Sequence, residues 1–104
     1  MGQHYLHIGG LVAAGFDKTG RYLLTISHSG RGVFDSENWT RIARDYALVY
    51  PERGLGTGIG PIADEQIPIV KMDYVTERFL LRNPDGRWIL HCESSGIAVE
   101  NCER

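Results

Sequence analysis

The chain has 104 residues, with 11 Lys and Arg against 13 Asp and Glu and 42% hydrophobic residues. That is one domain's worth, able to bury about 65% of the surface its unfolded chain exposes. The net charge of −2 excludes a generally phosphate-neutralising surface, so no nucleic-acid partner is expected.

Glycine and proline punctuate the chain, and the segments between them are short. Gln3–Ile8 and Leu11–Phe16 are apolar-rich runs separated by Gly9-Gly10. Asp17-Lys18-Thr19-Gly20 is a turn cluster whose glycine can take a positive φ. In Arg21–Ser27, strand alternation puts Tyr22, Leu24 and Ile26 on one face and Leu23, Thr25 and Ser27 on the other. His28-Ser29-Gly30 supplies a second turn, and Gly32–Asp35 reads as the returning strand.

The same text recurs 66 residues later. Asn83-Pro84-Asp85-Gly86 is a turn, Arg87–Glu93 a strand, Ser94-Ser95-Gly96 a turn and Ile97–Asn101 a return. Aligned without a gap, Gly20–Asp35 and Gly86–Asn101 share Gly20/Gly86, Arg21/Arg87, Leu24/Leu90, Ser29/Ser95, Gly30/Gly96 and Val33/Val99. The expected fold is therefore mainly β, an antiparallel meander of two repeated hairpin units packed as a sandwich or open barrel. The units span about 11–45 and 67–101 of a single domain, 1–104, and the Gly-rich segment 53–61 joins them.

Two readings compete after the first unit. Trp39, Ile42, Ala43, Tyr46, Ala47 and Tyr50 fit a helical template that Asp35 or Ser36 would cap and Pro51 would end. This gives the alternative of an α+β fold with one helix at about 36–50. In the other reading Asp35–Asn38 is a hairpin turn and Trp39–Ala43 the next strand, as the β-branched and aromatic residues favour. In Gly54-Leu55-Gly56-Thr57-Gly58-Ile59-Gly60, glycine at every second position leaves one strand face bare for close approach of another group, or else forms a mobile loop. The phosphate-loop pattern is not met, because no Gly-Lys-Ser/Thr follows. Pro68 places Ile67–Val75 at a sheet edge or strand start.

The stretch Gly15–Thr25 through Gly32-Val33-Phe34-Asp35 and on to Trp39 resembles one blade of a β-propeller repeat, of the WD-repeat or kelch kind. Phe79–Asn101 resembles a second, partial blade. Two blades do not close a propeller, which typically takes four to eight. The Trp-Asp and Gly-His signatures are missing, and the second unit has no counterpart to Trp39. The resemblance implies antiparallel meanders and a binding role.

Candidate chemistry is sparse. His4, His7, His28 and His91 supply at most two ligands close in sequence, short of the three or four a metal site needs. Ser27 or Ser29 can be set beside His28 or His91 on paper, but no Gly-x-Ser-x-Gly elbow or orienting third group accompanies them. The carboxylates Asp64, Glu65 and Asp73 are available as pairs, but adjacency in sequence puts neighbours on opposite strand faces. Cys92 and Cys102 lack Cys-x-x-Cys spacing and read as free thiols in a reducing compartment. No apolar run approaches the roughly 18 residues that span a bilayer, and the polar start Met1-Gly2-Gln3-His4 does not read as a signal peptide. The expectation is thus a cytoplasmic protein that is not an enzyme, with no catalytic residues, metal, cofactor or membrane partner.

Arginine and aromatic residues dominate the centres of protein interfaces. Trp39, Arg41, Arg44, Tyr46, Tyr50 and Arg53 are accordingly the candidate partner-binding residues. The functional expectation is a small protein-binding protein, in concrete form a bacterial immunity or inhibitor protein that blocks a toxin or enzyme. Its acidic balance would suit a basic partner. The alternative is a sugar or small-molecule binding module made by several copies arranged as a propeller ring. The oligomeric state expected is a monomer or small homo-oligomer.

Overall fold

The computed structural model describes residues 4–47 and 54–102. Its strands are β1 (His4–His7), β2 (Leu11–Phe16), β3 (Tyr22–Ser27), β4 (Gly30–Asp35) and β5 (Thr40–Asp45). A short hairpin, β6 (Leu55–Thr57) and β7 (Gln66–Pro68), flanks a 3-10 turn at Gly60–Ile62. The chain continues through β8 (Val70–Lys71), β9 (Arg78–Arg82), β10 (Trp88–Glu93) and β11 (Gly96–Asn101). All pairings are antiparallel. One sheet runs β5-β4-β3-β2-β8, the other β1-β11-β10-β9, and β6 pairs with β7 in a two-stranded sheet.

The two repeats fold alike down to their turn hydrogen bonds. Gly20 N–H donates to Asp17 O at 3.0 Å and Gly86 N–H to Asn83 O at 2.9 Å. Both glycines take the left-handed backbone, φ +78° and +77°, as the turn requires. Asp17 N–H and Asn83 N–H then reach across to the carbonyls of Tyr22 and Trp88, each at 3.0 Å, which starts both ladders in the same register.

Each sheet uses its two faces in a fixed sense. Leu24, Ile26 and Val33 of the first repeat pack under Ile59, Ile62, Ile67 and Ile69 of the β6–β7 layer, with Tyr22 against them. Their counterparts Trp88, Leu90, Cys92 and Val99 pack instead against the opposite face of the first sheet, on Ala14, Phe16, Leu23, Phe34 and Trp39. The sheets therefore stack front to back rather than front to front. One end of the stack is closed by the β6–β7 layer. At the other end the residues equivalent to Leu23, Thr25, Ser27 and Phe34 are Ile89, His91, Glu93 and Glu100, a mostly polar face that meets solvent.

The mainly-β sandwich expected from the sequence is the fold observed, and several details differ. Thr40–Asp45 is a strand, so the helix at about 36–50 is not formed over its described part. Ile42 and Tyr46, which that helix would bury, are 45% and 72% exposed. Asp35 O accepts the N–H groups of Asn38 and Trp39, and this tight turn ends β4. The unit boundaries also shift. β8 joins the first sheet by pairing with β2, and β1, which lies outside both expected units, completes the second sheet on β11. In the Gly-rich segment, Leu55–Thr57 is a strand. A Cβ on Gly56 would lie 3.1 Å from Ile26 Cδ1 and 3.2 Å from Leu24 Cδ2, so the bare face is what lets this layer lie on the sheet.

Candidate functional site

Of the six candidate partner-binding residues, Trp39 is corrected by its position. It is 6% exposed, in the core between the sheets, with its ring edge-on to Trp88 at 5.3 Å. The turn after Asp35 folds its side chain inward, with φ +57° at Trp39 itself. Tyr50 and Arg53 lie outside the described residues. Arg41, Arg44 and Tyr46 are exposed together on and just after β5, which has no strand paired to its outer side among the described residues.

The two arginines are held by rings rather than by acids. Arg41 Cζ lies 5.2 Å from the centre of the Phe34 ring. Arg44 Cζ lies 5.1 Å from the Tyr46 ring and donates from Nη2 to Tyr46 Oη at 2.9 Å. Stacking of this kind orders a guanidinium while leaving most of its N–H groups for another acceptor. Arg31, by contrast, is spent. It donates to Asp45 through Nε (3.1 Å) and Nη2 (2.5 Å) and to the Thr57 carbonyl through Nη1 (2.7 Å). The guanidinium bonded to Asp45 holds that carboxyl below the usual carboxylate range, against the opposing effect of its burial.

Behind β5, on the face that elsewhere forms the inter-sheet core, the apolar filling stops. Pairing sets Thr25 opposite Gly32 and Ser27 opposite Gly30, where Leu23 opposite Phe34 continued the core. The result is a polar cleft of about 120 Å³ with Gly30 and Gly32 as its floor, Arg41 and Arg44 on one side and the His7–Gly9 stretch on the other. Thr25 Oγ1 donates to Gly32 O (3.2 Å) and Ser27 Oγ to Gly30 O (3.0 Å). A larger groove of about 490 Å³ opens between the β7–β8 segment and the start of the Asn83 turn, lined by Phe16, Ile67, Pro68 and Leu81 among others.

The remaining candidates do not assemble. Among the described residues no three His, Cys, Asp or Glu side chains converge as a metal site. His91 Nε2 meets Glu100 Oε1 at 3.0 Å as an exposed cross-strand pair. Ser27 Oγ bonds Ser29 Oγ at 3.1 Å. Cys92 and Cys102 are free thiols, and burial pushes that of Cys92 up to about 12, which leaves it a packing residue at neutral pH. No helix among the described residues is long and apolar enough to cross a membrane. Sequence reasoning missed the roles of Thr25, Ser27, Gly30 and Gly32 in the cleft. The available signal was small and polar residues replacing apolar ones on the face that Leu23 occupies. Comparison with protein-family models, curated proteins and solved structures finds no match to this chain.

Proposed function

We propose that this chain is a non-catalytic protein-binding protein whose contact surface is β5 and the residues just beyond it. The observation that carries the reading is that edge strand. It presents Arg41, Ile42, Arg44 and Tyr46 to solvent, with no strand on its outer side among the described residues. An edge of this kind accepts a partner's strand through main-chain hydrogen bonds, while the aromatic and arginine side chains supply selectivity. In its concrete form the protein acts as an immunity or inhibitor protein that blocks a toxin or enzyme.

The surface chemistry refines the partner. Although the whole chain carries −2, the β5 surface is locally cationic, so it suits an acidic segment better than a basic one. A propeller ring of several copies has less support, because the face each copy would need at one end of its stack lies under the β6–β7 layer.

The test is co-purification of the tagged chain with the product of the adjacent gene at low salt. A stoichiometric complex that is lost on Ile42→Asp or Tyr46→Ala, both at exposed positions, supports the reading. A complex indifferent to both substitutions, or no stoichiometric partner, counts against it.

A further inference from the structure

We propose that the polar cleft between β1 and the β4–β5 hairpin is a binding site for one oxyanion group of phosphate size, held by Arg41 and Arg44. This inference shares Arg41 and Arg44 with the protein-binding reading but does not rest on it, since it concerns their side chains on the inner side of β5 and needs no partner chain. Its variants also differ from the Ile42→Asp and Tyr46→Ala that test that reading.

The charge balance comes first. Of the ionisable side chains around the cleft, Asp45 is engaged by Arg31 through two hydrogen bonds. Arg41 and Arg44 have no carboxylate partner among the described residues. Among the described residues the cleft thus carries two guanidinium groups with no carboxylate partner, in a molecule whose total charge is −2. Their placement is the second element. Phe34 pairs with Arg41 and Gly32 with Arg44, so a bulge in β5 sets both arginines on one face, at successive positions along β4. Successive positions on one strand face lie about 7 Å apart. Guanidinium groups on flexible stems at that spacing can share one tetrahedral anion between them.

The floor is built to suit. A Cβ on Gly32 would stand 3.3 Å from Thr25 Oγ1 and 3.4 Å from Arg41 Nε, so Arg41 lies low across the bare glycine. The floor carbonyls that would repel an anion, Gly30 O and Gly32 O, are occupied by the hydroxyls of Ser27 and Thr25. On the far wall Ile8 N–H is tied to Ser95 O at 3.1 Å. By the alternation of an antiparallel ladder the neighbouring His7 N–H turns outward, toward the open edge of β1. The volume, about 120 Å³, admits a single phosphate group.

The experiment titrates inorganic phosphate into the ¹⁵N-labelled full chain at fixed ionic strength, with chloride as the reference anion. Saturable shifts at Gly32, Ser29 and the Arg41 and Arg44 Nε signals are expected. Arg41→Gln and Arg44→Gln should each weaken binding by about tenfold, the loss of one charge-assisted hydrogen bond. Lys71→Gln, which removes an exposed charge on β8, should leave it unchanged. Both arginines are exposed, so these variants should keep the parent amide spectrum. Phenyl phosphate identifies the source: tighter binding than inorganic phosphate means the group is carried on a larger ligand, and equal or weaker binding means a free anion. Shifts that chloride reproduces, no saturation by about 10 mM, or equal affinity in the Arg41→Gln/Arg44→Gln double variant would overturn the proposal. So would a loss with Lys71→Gln as large as with either arginine.

Discussion

Asn83 Nδ2 donates to the Gly20 carbonyl at 2.9 Å, a buried bond that ties the first turn of one repeat to the first turn of the other. Asn83 occupies the position that Asp17 holds in the first repeat, and only the amide can donate. Gly20 O also accepts from Ser36 Oγ at 3.3 Å, so three segments meet at one carbonyl. Asn83→Asp would set a buried carboxylate against that oxygen. A loss of about 2–3 kcal/mol is expected, from the vanished hydrogen bond and the unsatisfied acceptors. Urea denaturation of the variant against Asp17→Asn, which leaves the inter-repeat bond in place, measures it. Equal stability of Asn83→Asp and the parent would remove this bond as the junction between the sheets.

The edge-on Trp39–Trp88 pair, with planes at 89°, fills the inter-sheet core beside that junction. Truncating either ring to alanine should cost about 3–5 kcal/mol. The two losses should not add, because each ring is the other's wall, and a double-mutant cycle should return a coupling of about 1 kcal/mol. Trp39 Nε1 is buried without a hydrogen-bond partner among the described residues. Trp39→Phe removes that unsatisfied donor along with the lost volume, so it should be markedly milder than Trp39→Ala. Near-zero loss for Trp39→Ala would return that ring to the surface.

The strands and turns were legible because their signals are local. Alternation in Tyr22–Ser27, the Asp17–Gly20 and Asn83–Gly86 turns and the Ser-Gly hairpins all lie within a few residues of chain, and all formed as expected. Strand β1 was not legible as part of the second repeat. Its partner β11 lies about 90 residues away, and nothing in His4–His7 encodes that pairing. Nor does alternation say which face of one sheet meets which face of another. That was decided by volume, with the isoleucines at 59, 62, 67 and 69 covering the first repeat's Leu24 face. Trp39 followed the interface composition rule for arginine-aromatic clusters, but a positive φ at the turn turned its ring inward. The cleft draws on β1, β3, β4 and β5, so no single stretch of sequence displays it.

Gly30 and Gly96 show that the repeat preserves a contact rather than only a turn. A Cβ on Gly30 would lie 2.3 Å from Asp45 O, and one on Gly96 would lie 2.2 Å from Leu6 O. In each repeat the next strand's backbone crosses over that glycine, even though the next strand is β5 in one and β1 in the other. Alanine at either position should therefore destabilise by about 2–3 kcal/mol through forced displacement of a packed strand. Gly9, with open space where its Cβ would stand, is the control and should tolerate alanine within about 0.5 kcal/mol. Thermal unfolding of the three variants decides it, and indifference to alanine at Gly30 would break the equivalence of β5 and β1.

Acid should unfold the first sheet's outer strands through two carboxylates. Asp35 is held below the usual carboxylate range chiefly by its hydrogen bonds from Arg21, with the Glu37 N–H adding to them. Asp45 is held low chiefly by Arg31. A carboxyl that is more acidic in the folded chain stabilises it above the unfolded value, about 4, and that contribution disappears as pH falls through the folded value. Melting temperature should accordingly drop as pH is lowered below about 4. Asp45→Asn should lower the melting temperature at pH 7 and flatten the acid limb, because asparagine cannot titrate and forms a weaker bond to Arg31. Arg31→Gln should flatten it in the same way while also freeing the Thr57 carbonyl. An acid limb as steep in both variants as in the parent would assign the sensitivity to other groups.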